Sequence, residues 1–134
     1  MLIKILTTFS SIVTIGFGVW HFTVPSKWQW YSYIVPSATE LVLAVRAINV
    51  FFSLCLVLIG AANLIFVYAV RHIPSLAVML ALSAILWAVR VILQLIYPQG
   101  SANPMLQYGM LAAFILTFLC FAVSFVRTLP ALKG

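Results

Sequence analysis

Acidic side chains are almost missing: Glu40 is the single carboxylate in 134 residues. That excludes paired-carboxylate hydrolysis, which needs one acid and one base across the scissile bond, and an HExxH zinc site. Charge of either sign is scarce, at 6% of residues against 66% hydrophobic, where a soluble domain carries about 25% charged residues. Water is therefore not the main solvent, and the chain reads as an integral membrane protein. Histidine is limited to His21 and His72, and cysteine to Cys55 and Cys120. Both cysteines lie in apolar runs without CxxC spacing and read as small hydrophobes. GxGxxG, P-loop and GxSxG signatures are also lacking, so no catalytic constellation is present and a non-catalytic role is expected.

Proline is missing from the interior of every long apolar run. All six prolines stand at or beyond the run ends: Pro25, Pro36, Pro74, Pro98, Pro104 and Pro130. Proline opens or ends a helix, so this punctuation agrees with four apolar stretches, each long enough for a hydrocarbon core of about 30 Å. The expected architecture is all-α, a single four-helix transmembrane bundle with spans over 2–22, 39–70, 74–97 and 104–127. The first run exceeds a signal-peptide core and lacks an A-x-A site, so it is expected to be an uncleaved span. Asn103 is placed to cap the last helix. Unbroken helices without a buried acid argue against an ion-coupled pump.

The net charge of +6 comes from seven cations against one acid. These cations scatter near span ends instead of forming one basic face, which excludes nucleic acid as a partner. Lys4, Arg71, Arg127 and Lys133 flank the N-terminus, the middle loop and the C-terminus, whereas the other two loops contribute Lys27 alone. The positive-inside rule then puts both termini in the cytoplasm and the chain, multi-pass, in the inner (plasma) membrane. His21 and His72 fall on opposite faces, so one chain holds no haem between them; no metal site is expected either.

Within this frame the stretch "GVWHFTVPSKWQWYSYIVP" (18–36) becomes the first external loop. Trp20, Trp28, Trp30, Tyr31 and Tyr33 suit an interfacial aromatic belt, with a dedicated aromatic pocket as the alternative. Thr7, Ser11, Thr14, Gly18 and His21 recur at helical spacing and form one face that should meet another helix. His21, at its outer end, either caps that contact or binds a polar group. Ser37-Ala-Thr-Glu40 has the form of a capping box, the other reading of Glu40 being an ion pair with Arg46 or Arg90. Two arginines lie in apolar sequence, in "AVRAIN" (Arg46, Asn49) and "LWAVRVILQ" (Arg90, Gln94). Trp87, Arg90 and Gln94 share a helix face with Ser83. Intramembrane arginines either snorkel or face a partner, here a shared site for an anion or headgroup.

The segments "GFGVWHFTVP" (16–25), "YIVP" (33–36) and "ELVLAVRAINVFFSLCLVLIG" (40–60) together resemble the DoxX-like group of four-helix bacterial membrane proteins. In that group a small-residue helix ends in His or Lys, an apolar residue and a nearby proline, and His21 stands at that position. The likeness covers about the first 60 residues. It implies a small subunit beside redox or assembly partners, in some members of a quinone-linked oxidoreductase. The expected function is thus binding of a partner, a lipid headgroup or a quinone at a cluster of His21, Glu40, Arg46, Asn49, Trp87, Arg90 and Gln94. Partners would be membrane lipid and either further copies of the chain or a larger complex. The alternative is a homo-oligomeric channel or transporter for a small anion.

Overall fold

The computed structural model describes residues 1–70 and 72–132. Its four long helices are α1 (Leu2–His21), α3 (Thr39–Tyr68), α4 (Ile73–Ile96) and α5 (Pro104–Thr128), with a short α2 (Val24–Lys27) in the first loop. Each long helix is apolar and long enough to cross a bilayer, so the protein is a multi-pass membrane protein. Four crossings return the chain to the side where it began. The first and last described residues, with 69, 70 and 72, share one end of the bundle, and the segments 22–38 and 97–103 the other. Arg71 and Lys133, two of the cations used above for orientation, lie outside the described residues.

Helix ends follow the local chemistry in two cases and depart from it in a third. Asn103 caps α5 as expected: its Oδ1 accepts from the Met105 and Leu106 amides at 3.1 and 3.3 Å. The His72 ring caps α4, with Nδ1 2.7 Å from the Ser75 hydroxyl, and Pro74 sits in the first turn. The expected capping box before α3 does not form. Ala38 occupies the N-cap, with no side-chain cap bond. The Ala38 amide closes a turn onto the Val35 carbonyl at 2.9 Å, and this turn removes Ser37 from capping position. Glu40 is consequently an exposed first-turn carboxylate that complements the helix dipole alone.

The long helices form an arc in the order α3–α1–α5–α4. Small residues weld α1 to α3, where Ser11 and Gly18 meet Gly60 and Ser53; Thr7, Ser10 and Thr14 on the same helix are fully buried in the bundle. A β-carbon on Gly18 would lie 2.8 Å from the Ser53 carbonyl oxygen, and one on Gly60 2.9 Å from that of Ser11. Aromatic and aliphatic packing joins α4 to α5 through Leu80, Trp87, Phe114 and Phe121. The arc does not close tightly. Although α3 and α4 are consecutive in the chain, they touch each other least of the neighbouring pairs.

Candidate functional site

That loose closure is the site. Toward the terminal end, α3 and α4 are tied by Asn63, whose Nδ2 donates to the Ser83 hydroxyl at 2.8 Å and to the Ile59 carbonyl at 3.0 Å. One turn beyond this bridge the helices part. The slot between them, about 200 Å³, is walled by Phe52, Cys55 and Ile59 of α3 and by Leu86 and Leu93 of α4. Phe17 of α1 and Trp87 form its floor. Trp87 is buried and donates from Nε1 to Thr14 Oγ1 at 3.1 Å, so its indole is fixed to α1 and holds the floor in place. Leu86 and Leu93 are 47% and 43% exposed, so the slot opens sideways to the hydrocarbon.

Toward the loop end the slot continues, through shared Phe52, Arg90 and Leu93, into a wider recess of about 380 Å³ that includes His21, Trp30, Asn49 and Gln99. The first loop supplies Trp30. After α2 the backbone turns through Gln29 in the left-handed region (φ 50°) into a 3-10 turn over Trp30–Tyr33, which brings the indole 6.1 Å from the His21 ring. Phe52 meets the same imidazole edge-on at 4.8 Å. The second loop supplies Gln99, held twice from α4: Arg90 Nη2 donates to its Oε1 at 2.6 Å, and Gln94 Nε2 to its carbonyl at 2.9 Å. Gly100, at φ 75°, gives the chain the tight reversal that this double anchor requires.

The polar atoms of the recess are not all used. Asn49 is 5% exposed; its Nδ2 donates to the His21 carbonyl at 3.2 Å, satisfying an orphan acceptor at the end of α1. Its Oδ1 and the His21 Nδ1 are buried with no protein partner, a costly state in a low-dielectric interior. The Arg90 guanidinium stands 4.4 Å from the Phe114 ring centroid and 5.8 Å from that of Phe17. Such cation–π stacking holds the charge against the bundle instead of letting it run straight to the interface.

Of the seven residues expected to cluster, His21, Asn49 and Arg90 line the recess, Trp87 lines the slot and Gln94 holds Gln99 in the recess wall. Glu40 and Arg46 do not take part. Arg46 is exposed and stacks over the Tyr31 ring at 5.5 Å. It lies seven residues into a helix of 30, about 10 Å below its start, which suits an interfacial cation. The two arginines therefore do not share one anion: Arg90 turns inward and Arg46 outward. The aromatic segment likewise divides, since Tyr33 is 83% exposed as an interfacial belt requires, whereas Trp30 turns into the recess. Phe17, Phe52, Gln99 and the Asn63–Ser83 bridge belong to the site without having stood out in the sequence. The unread signal for the bridge is Asn63 itself, an amide in the middle of an apolar run.

No protein-family model, curated protein or solved structure matches this chain.

Proposed function

We propose that this protein is a non-catalytic membrane component that takes a lipid-soluble amphiphile, a lipid or a quinone, sideways into the cleft between α3 and α4. The observation that carries this reading is the cleft itself, an apolar slot open to hydrocarbon that ends beneath Arg90, His21 and Asn49. A tail in the slot replaces lipid contacts with protein contacts, and a head in the recess finds donors and acceptors that bulk hydrocarbon lacks. The centre of the bundle is filled by Leu80, Phe114 and Phe121, so the cleft, and not an axial route through one chain, is the cavity this reading uses. The DoxX-like resemblance of the first 60 residues supports a bacterial inner-membrane subunit acting beside a partner, with His21 of the shared pattern in the recess. By sequence, the first and last segments and the middle loop carry Lys4, Arg71, Arg127 and Lys133 against Lys27 and the interfacial Arg46 at the other end, which supports cytoplasmic termini and an outer-leaflet recess.

The test is mass spectrometry of the lipids and quinones that copurify in mild detergent. Wild type should retain one amphiphile class above the bulk lipid profile. Ile59→Trp, which fills the slot, should lose that class while keeping its fold. An identical profile in both would refute a ligand cleft.

A further inference from the structure

The recess also indicates what kind of head it accepts. It contains one full positive charge, Arg90, and no carboxylate, for Glu40 is not among its lining residues. The guanidinium offers five donors in a planar fork; one arm is engaged by Gln99, and the remainder suits an oxyanion. Across the recess, Asn49 Oδ1 is a buried acceptor whose neighbouring donor, the His21 ring, stands off hydrogen-bonding geometry and leaves it unpaired. A carboxylate would satisfy the arginine and leave Asn49 unpaired. A quinone carbonyl would do the same and leave the charge uncompensated. A neutral alcohol would serve Asn49 and not Arg90. The group that meets both demands is an acid retaining one hydroxyl, and a phosphate monoester bearing one proton has that form. Its oxygens accept from Arg90 while its hydroxyl donates to Asn49, with His21 Nδ1 free to complete the shell. A single counter-charge in a low-dielectric site favours the monoanion over the dianion.

The slot limits the tail. At about 200 Å³ it falls below the roughly 300–1,000 Å³ of ordinary small-molecule sites, so its enclosed part has room for one chain. Resting on the cleft reading above, we infer that the occupant is a single-chain lipid monophosphate, with its phosphate between Arg90 and Asn49 and its chain between Ile59 and Leu93.

The experiment is native mass spectrometry of the full chain titrated with dodecyl phosphate, dodecanol, dodecanoate and decylubiquinone. Dodecyl phosphate should bind at least about tenfold more tightly than any of the others, the scale of one hydrogen bond to a charged group. Arg90→Gln should reduce that preference to within about twofold, and Arg90→Lys should restore part of it. Asn49→Leu should remove the preference over dodecanoate. If wild type binds dodecanol, dodecanoate or decylubiquinone as well as dodecyl phosphate, the phosphate assignment is overturned. In that event binding that is still lost in Ile59→Trp leaves the cleft reading intact. If Ile59→Trp changes binding of none of the four, both readings fall. The ligand comparison uses unmodified protein, so it decides the matter even if the arginine variants misfold.

Discussion

The two faces of α3 meet their neighbours in opposite ways. Against α1 it presents Ser53 and Gly60, and the partner presents Ser11 and Gly18, so that two backbones touch and no room remains. Against α4 it presents Phe52, Cys55 and Ile59, whose side chains hold the helices apart beyond the Asn63–Ser83 bridge. Both faces are apolar or weakly polar, and hydropathy does not distinguish them. Inside a membrane no hydrophobic force drives helices together, and association depends on close van der Waals fit and on interhelical hydrogen bonds. Small residues make the first seam a permanent contact. Large ones make the second a place that lipid can enter.

The contrast can be broken most forcefully at the closed seam. Gly18→Leu puts a side chain where even a β-carbon lies 2.8 Å from backbone oxygen. It should cost about 3 kcal/mol, at the upper end of overpacking, read as loss of monodisperse protein and a lower Tm in detergent. Gly16→Leu, with nothing within 4 Å, should melt as wild type does. Equal losses in both would mean that α1 does not meet α3 along the glycine face. A smaller effect is expected at the bridge that ends the cleft. Asn63→Leu removes the hydrogen bond to Ser83 and should cost about 1 kcal/mol. It should also lengthen the slot toward the terminal end, so that a longer-chain amphiphile is retained. Unchanged chain-length preference would show that the bridge does not set the depth. The smallest effect is expected on the outer surface, where Arg46→Lys should change stability by less than about 0.5 kcal/mol and leave ligand retention unaltered. A loss matching that of Arg90 variants would restore a two-arginine site.

Much of this contrast was legible before the fold, but not evenly. The α1 stripe could be read because Thr7, Ser11, Thr14 and Gly18 are rare small or polar residues at helical spacing, and a membrane helix has few reasons to align them other than contact. The span limits followed from proline and hydropathy, and the observed helices end within about two residues of them, the usual uncertainty of helix ends. Helix pairing was not legible. Each helix is apolar almost all round, so no stripe states which neighbour it faces, and the loose α3–α4 closure follows from pairings that only the assembled bundle fixes. The two arginines looked equivalent for the same reason. Their sequence surroundings are alike, and it is Phe114 on the next helix and Gln99 in the loop between that turn Arg90 inward. Ser37 misled because a capping box is defined by spacing, and the turn closed by Ala38 shifts the helix start beyond it.

Photochemistry in the membrane distinguishes an α3–α4 seam that admits lipid from an α1–α3 seam that does not. A small aliphatic diazirine side chain would be placed at position 59, in the slot, and in a second protein at position 57, where Val57 faces Gly18. After irradiation in lipid nanodiscs, covalent products would be assigned by mass. Position 59 should give mainly lipid or amphiphile adducts, and position 57 mainly α1–α3 crosslinks. Protein crosslinks to α4 with no lipid adduct from position 59 would mean that the seam is closed, and would contradict lipid entry there.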